Sequence, residues 1–240
     1  MFRLEDWKWA FVDLLIPPAC IGCDVVGIHW CLNCQKETQL LTDNLCSKCG
    51  KPDQGDICEA CLAREPYYSA ARSFAQYVNP FKKLVIALKY RGNPNLGHFI
   101  SDLIASRAPF RGWTPDLGVA VPLSAGRLAA RGYNQVELYA RPLCQRVGIP
   151  YSGSALTRNR ETVSQVGLTG NQRRHNLRGA FAAEARQVSG RSVILFDDVY
   201  TTGSTVNECS KALRAAGAAE VVVFTLARAL GKPEELWELA

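Results

Sequence analysis

Four consecutive apolar residues, Val193-Ile194-Leu195-Phe196, lead into Asp197-Asp198, then Val199-Tyr200 and the turn Thr201-Thr202-Gly203-Ser204-Thr205. An unbroken apolar run of this length predicts a strand covered on both faces, hence a parallel sheet with flanking helices. After the turn, Val206, Cys209 or Ser210, Leu213 and Ala216 recur at helical spacing, and Gly217 suits a left-handed stop. A second apolar strand spans 221–226. Ligands of open parallel sheets bind beyond the carboxyl ends of the strands, where Asp197 and Asp198 are expected. Ionised carboxylates accept hydrogen bonds from vicinal hydroxyls, while a turn of hydroxyls and backbone N–H groups at a helix start donates to phosphate. The order therefore describes a sugar-phosphate site. Asp and Thr also serve as ordinary caps and turn formers. The coincidence of paired acids, turn and two flanking strands favours the functional reading. No Gly-Lys-Ser/Thr P-loop and no Gly-x-Gly-x-x-Gly occurs, which argues against an NTPase or a dinucleotide enzyme.

Eight of the ten cysteines form four Cys-x-x-Cys pairs, Cys20/Cys23, Cys31/Cys34, Cys46/Cys49 and Cys58/Cys61, separated by 7, 11 and 8 residues. Two such pairs close one tetrahedral Cys₄ site with no open position, so eight ligands make two structural zinc sites. The segment is poor in large apolar side chains, and metal must supply much of its stability. Disulfides would need an oxidising compartment, and a redox Cys-x-x-Cys is normally single. An iron–sulfur cluster is the remaining alternative. The expected pairing is sequential, Cys20/Cys23/Cys31/Cys34 and Cys46/Cys49/Cys58/Cys61, over an interleaved arrangement. His29 reads as an exposed loop residue, and Cys144 and Cys209 as small core residues on helices.

With 48% hydrophobic residues among 240, the chain can bury one sizeable core and carry a small accessory domain. The formal charge of +6 makes polyanions plausible partners without identifying one. No apolar run approaches the ~18 residues that span a bilayer. Glu5, Asp6, Lys8 and Asp13 interrupt the N-terminus, so no signal peptide is read there and a cytoplasmic location is expected. Phe2, Trp7, Trp9, Phe11, Leu14 and Leu15 suit a partly amphipathic helix ended by Pro17-Pro18. The expected organisation is an N-terminal helix and double zinc ribbon over 1–66, an α/β domain over 67–230 and a tail over 231–240.

In the α/β part, Asn79-Pro80 is expected to cap and start a helix to about Lys89. A turn through Lys89-Tyr90-Arg91-Gly92-Asn93-Pro94 leads to a second helix over 96–106. A short strand at 117–121 ends in Pro122-Leu123-Ser124, and Arg131-Gly132-Tyr133-Asn134-Gln135 opens a helix to about Val147. The loop after Val121 is a candidate second anion site through Ser124, Gly126, Arg127, Arg131, Asn134 and Gln135, because guanidinium groups grip phosphate bidentately. A solvated basic helix start is the alternative. The stretch 157–181 carries Arg158, Arg160, Arg173 and Arg174 with little periodicity. It suits a polar loop crossing an anionic ligand or strand, or simply a solvated loop.

The segment 193–205 resembles the phosphoribosyl pyrophosphate (PRPP) signature of type I phosphoribosyltransferases. That resemblance implies that Asp197 and Asp198 bind ribose hydroxyls while Thr201, Thr202, Gly203, Ser204 and Thr205 hold the 5′-phosphate. Further elements extend the likeness over nearly the whole chain. They are the double ribbon after Pro17-Pro18, Leu88-Lys89-Tyr90-Arg91-Gly92, Arg131-Gly132-Tyr133-Asn134-Gln135, and the stretch from Arg158, Thr162, Gln165 and Leu168 to Arg174, Asn176 and Ala180-Phe181. Together they resemble the competence protein F (ComF, GntX-like) group. The resemblance implies a type I phosphoribosyltransferase-like sheet and a cytoplasmic role in DNA uptake, handling single-stranded DNA, with a helicase as a candidate partner. Mg²⁺ would arrive with PRPP. Where many relatives carry His after Pro-Leu, this chain has Ser124. Three readings remain: a PRPP-binding or nucleic-acid-phosphate-binding DNA factor, an active phosphoribosyltransferase, or a PRPP sensor without turnover. Neither 67–116 nor 157–181 offers a recognisable base pocket, which favours binding over catalysis.

Overall fold

The computed structural model describes residues 19–53, 55–107, 112–160 and 177–231. The proposed N-terminal helix, together with Arg173 and Arg174, lies outside the described residues. In chain order the elements are α1 (Leu32–Glu37), α2 (Glu59–Ala63), β1 (Ala70–Gln76), α3 (Phe81–Tyr90), α4 (Pro94–Ala105), β2 (Leu117–Ala120), α5 (Ala125–Arg131) and α6 (Gln135–Val147). There follow β3 (Tyr151–Ser152), β4 (Leu156–Arg158), β5 (Phe181–Ala183), α7 (Ala185–Val188), β6 (Ser192–Tyr200), α8 (Ser204–Ala215) and β7 (Glu220–Arg228).

Five of the described strands form one sheet in the order β1-β7-β6-β2-β3, every neighbouring pair parallel. The apolar run of β6 is buried on both faces, as its composition requires. Ile194 and Phe196 join Phe224 and Leu226 beneath α3, α4 and α6, while Val193 and Leu195 join Val221 and Val223 beneath α8. Tyr139, Phe196 and Phe224 pack edge to face in the first of these cores, a geometry worth ~0.5–1.5 kcal/mol per pair beyond area burial. On the other side, Val206, Cys209 and Leu213 turn the stripe of α8 inward. Cys144 and Cys209 are fully buried and His29 is exposed, as expected.

The chain leaves the middle of this sheet in two directions. From β2 it passes through α5 and α6 to β3 on one side; from β6 it passes through α8 to β7 on the other. The reversal opens a crevice at the carboxyl ends of β2 and β6, the position where such sheets take ligands. β6 does not stop at Phe196. It pairs with β7 as far as Tyr200, whereas its pairing with β2 ends at Phe196. Asp197 and Asp198 therefore lie inside β6 but past the end of its neighbour.

The ribbon segment is docked on the sheet. Leu40 bridges Ala75, Leu41 N–H donates to the Phe74 carbonyl and Gln76 N–H to the Gln39 carbonyl, so residues 39–41 cover the outer edge of β1. An exposed edge would otherwise invite pairing with another chain. The two cysteine clusters straddle that edge. Cys20, Cys34 and Trp30 enter the core above the sheet, where Trp30 meets the ring of Phe81 at 6.4 Å; Cys46, Cys49 and Cys58 enter the core below. Gly50, at φ +69, lies so close to β1 that a Cβ would stand 2.4 Å from the Ala71 carbonyl oxygen. Only glycine fits that approach.

Several local boundaries differ from the expectation. The helix after Asn79 begins at Phe81, with Pro80 at its cap position and no side-chain cap bond. The next starts earlier than 96: Asn93 caps it and Pro94 is its first residue, because the Asn side chain can satisfy the Asn95 N–H. Arg131 does not open a helix. It ends α5, Gly132 at φ +78 terminates that helix, and Asn134 caps α6.

Candidate functional site

The two cysteine clusters pair sequentially, and within each set all four sulfurs lie within 4.8 Å of one another. The Cys20–Cys34, Cys23–Cys31 and Cys49–Cys58 sulfur separations are 3.6, 3.6 and 3.7 Å. A tetrahedral zinc with bonds near 2.3 Å puts its sulfurs about 3.8 Å apart, whereas a disulfide needs about 2.05 Å. The residues therefore fit two Cys₄ zinc sites. Backbone N–H groups prepare them: Cys31 donates to Cys20 Sγ at 3.4 Å, and Cys49 and Cys58 donate to Cys46 Sγ at 3.5 and 3.3 Å. Burial alone would raise the Cys20 and Cys46 thiols, but the surrounding backbone N–H groups outweigh it and bring both down to about 6. Burial and the neighbouring sulfurs push Cys34 and Cys61 the other way, so Cys20 and Cys46 are the thiols readied as thiolate, the form zinc requires.

In the crevice, Asp198 is 13% exposed and held from three sides. Gln135 Nε2 donates to its Oδ2 at 2.7 Å, Lys89 Nζ stands 3.5 Å from the same oxygen, and Val199 N–H donates to Oδ1 at 2.6 Å. Burial works against the Lys89 charge, yet Asp198 outweighs it and holds the ammonium above its ordinary range. Asp197 Oδ1 accepts from Asp198 N–H at 2.9 Å, while Tyr139 fixes the strand by donating to the Asp197 carbonyl at 2.7 Å. Burial and the adjacent Asp198 carboxylate push Asp197 up to about 8, against the pull of Lys89. Asp197 thus holds a proton near neutrality beside the hydrogen-bonded Asp198.

The turn after β6 is built for close backbone approach. Gly203 sits at φ +74 as the cap of α8, and a Cβ there would stand 2.2 Å from the Tyr200 hydroxyl. Thr202 Oγ1 and Ser204 Oγ share a hydrogen bond of 2.9 Å, and Ser204 N–H donates to Thr202 Oγ1. Thr201 and Thr205 are half-buried on either side. The first turn of α8 carries backbone N–H groups that have no intrahelical partner. An adjoining cavity of about 390 Å³ is lined by Thr201 to Ser204, Asn207, Lys51, Arg64 and Arg228 among others, and separates this turn from the second cysteine cluster.

The β2 loop stands opposite. Ser124 caps α5 through the Arg127 N–H, leaving the Arg127 side chain exposed. Asn134 donates to the Val121 carbonyl at 3.0 Å and accepts from Val136 N–H at 3.0 Å, tying α6 to the end of β2. Arg131 donates to Gln135 Oε1 and lies over the exposed ring of Tyr90. The loop residues and the acid pair are therefore joined in one chain, Arg131 to Gln135 to Asp198 to Lys89. Ser124 and Asn134 spend their side chains on local caps, which the sequence reading had not separated from anion binding. Lys89 and Tyr139 emerge as site residues. Lys89 lay in a segment whose functional signal was its resemblance, and nothing local showed that its charge faces the acid pair.

Arg158 lies at the end of β4, which pairs antiparallel with β5 through Leu156–Ala183, Thr157–Ala182 and Arg158–Phe181. Its guanidinium lies over the Phe181 ring. Arg160 donates to the Arg178 carbonyl just beyond. The stretch 157–181 is thus partly a two-stranded arm outside the main sheet.

Residues 11–63 match a family model described as Double zinc ribbon domain. The chain is similar to DNA utilization protein YhgH of Escherichia coli (strain K12), 34% identical over 230 residues, covering 90% of this chain and 100% of that one. It is also similar to Competence protein F of Haemophilus influenzae, 33% identical over 208 residues, covering 83% and 90%. With Competence protein ComFC of Streptococcus pneumoniae it shares 26% over 200 residues, covering 82% and 87%. Among solved structures, a glutamine PRPP amidotransferase from B. subtilis covers 59% of this chain and 30% of its own at 21% identity and TM-score 0.41. An orotate phosphoribosyltransferase from Aeropyrum pernix covers 70% and 74% at 19% identity and TM-score 0.36. Among the described residues, no helix is long and apolar enough to cross a membrane.

Proposed function

Because the chain belongs to the family of DNA utilization protein YhgH and competence protein F, we propose that it is a cytoplasmic DNA-uptake factor. In this reading the crevice binds PRPP, or a nucleic-acid phosphate in its place, and the protein handles single-stranded DNA. The observation that carries the reading is the convergence at the switch point. Asp197 and Asp198 lie where β2 ends and β6 continues, the hydroxyl turn 201–205 follows them directly in the chain, and the helix entered from the β2 loop reaches Asp198 through Gln135. Anionic acceptors beside N–H and hydroxyl donors suit a pentose bearing a terminal phosphate. Among the described residues, the groups of three or more side chains able to hold a metal ion are the two cysteine sets. Mg²⁺ accordingly enters this proposal with the pyrophosphate, whose charge it would neutralise. Arg158, Arg160, Arg173 and Arg174 are assigned to the DNA backbone, and a DNA-uptake helicase is the proposed partner.

The test is titration of PRPP·Mg²⁺ into the zinc-loaded protein and into a double variant, Asp197→Ala with Asp198→Ala, while zinc content is measured. Binding should vanish with two zinc equivalents retained. Undiminished binding in the variant would remove the site assignment. Pyrophosphate release in the presence of a nucleobase or amine would replace the binding role with catalysis.

A further inference from the structure

The second cysteine cluster and the phosphate turn are joined by a short path of buried polar contacts that neither site needs on its own. Arg228, the last residue of β7, is 5% exposed. Its Nη1 donates to the Cys49 carbonyl at 2.7 Å and its Nη2 to Cys49 Sγ at 3.5 Å. The same guanidinium lies over the Tyr200 ring, 4.0 Å from the centroid. The Tyr200 hydroxyl shares a 2.7 Å hydrogen bond with Tyr68 and occupies the space where a side chain on Gly203 would begin. Tyr200 is buried at the end of β6, and its carbonyl accepts from Ala229 N–H at 3.0 Å, so it has little room to shift independently.

A Cys₄ centre with bound zinc carries a formal charge of −2, and a buried guanidinium is stable beside it because the two charges compensate. The metal fixes the position of Cys49, whose carbonyl and sulfur Arg228 grips; without it the ribbon backbone under the guanidinium is no longer held, while the face of the guanidinium stays on Tyr200. Among the described residues, the first cluster instead meets Lys83, whose Nζ donates to the Gly22 carbonyl at 2.8 Å, on the opposite face of the sheet from Tyr200.

We propose that Arg228 and Tyr200 are positioning residues that couple zinc at Cys46/Cys49/Cys58/Cys61 to the phosphate turn 201–204, so that metal at this centre, and not at the first, sets the turn for its anionic ligand. This inference rests on the turn being a phosphate site. Coupling of this kind is reciprocal: whatever factor the metal adds to ligand affinity, the ligand adds to metal affinity.

The experiment follows zinc transfer from the zinc-loaded full chain to a chromogenic chelator, with and without saturating PRPP·Mg²⁺. The Cys23→Ala variant identifies the equivalent lost from the first centre. PRPP·Mg²⁺ should slow release of the second-centre equivalent at least fivefold and leave the first unchanged. In Arg228→Gln both equivalents should remain bound, the selective protection should disappear, and PRPP affinity should fall severalfold. Arg228→Lys should restore part of it. Tyr200→Phe, which keeps the ring and removes only the hydroxyl beside Gly203, should lower PRPP affinity without changing zinc content, and it serves if Arg228→Gln does not fold. Equal slowing of both equivalents, or none while PRPP binds, would overturn the coupling. Absence of PRPP binding to the wild-type chain would instead overturn the phosphate-site reading on which it rests.

Discussion

If the crevice binds PRPP as proposed, Asp197 makes that binding a function of pH, and the size of the effect follows from its surroundings. Burial and the neighbouring Asp198 carboxylate hold it at about 8, against an ordinary value of 3.8. If the ligand's hydroxyls and Mg²⁺ require the ionised form, only that fraction is competent, and apparent affinity scales with it. With a titration near 8, roughly half is ionised at pH 8, about a tenth at pH 7 and about a hundredth at pH 6. Affinity should therefore improve close to tenfold per pH unit from 6 to 7.5 and level off above 8. Binding at pH 7 should release nearly one proton, measurable by calorimetry in two buffers of different ionisation heat. PRPP titrates as well, so the diagnostic quantity is the difference from Asp197→Asn, which should bind more weakly with a flatter pH profile. Stability has its own sign. Between about 4 and 8 the folded chain holds a proton that the unfolded chain has lost, so the Asp197 contribution is complete below the lower value and fades as pH rises through the upper. Asp197→Asn should remove that decline. Parallel pH profiles in the two proteins, with equal proton release, would refute the reasoning.

The turn and the basic arm give two further tests. Gly203→Ala places a side chain at φ +74 and against the Tyr200 hydroxyl. The backbone conformation alone costs about 1–2 kcal/mol, so the melting temperature should drop and PRPP affinity should fall at least tenfold; unchanged binding would show that the turn is not used. Neutralising Arg158, Arg160, Arg173 and Arg174 should flatten the salt dependence of single-stranded DNA affinity. The slope of log K against log salt should shrink by roughly 0.7 for each phosphate contact removed, and an unaltered slope would exclude these residues.

The parts of the structure that local pattern dictates were legible in the sequence. The run Val193 to Phe196 needs cover on both faces and receives it, the helix after Gly203 turns Val206, Cys209 and Leu213 inward, and the cysteine spacing gives eight ligands for two sites, whose sequential pairing over an interleaved one is decided by the fold. Two Cys₄ zinc sites followed from spacing because a tetrahedral ion leaves few geometric choices. β1 was not legible. Its sequence, Ala-Ala-Arg-Ser-Phe-Ala-Gln, lacks an apolar run, and its polar residues reach distant partners. Ser73 bonds to Thr225 at 2.7 Å, and Arg72 reaches the Ser47 carbonyl of the ribbon at 3.1 Å. For the same reason the ribbon's docking along the β1 edge had no local signature. The Lys89 and Gln135 contacts to Asp198 also join residues far apart in the chain, and only the fold brings them together.

A crystal structure of the zinc-loaded protein with PRPP·Mg²⁺ tests the central claim most directly. The account predicts the pentose hydroxyls within hydrogen-bond distance of the Asp197 and Asp198 carboxylates, with the 5′-phosphate seated on the N–H and hydroxyl groups of 201–205. Ligand bound elsewhere, with Asp198 still closed by Gln135 and Lys89 over an empty turn, would contradict it.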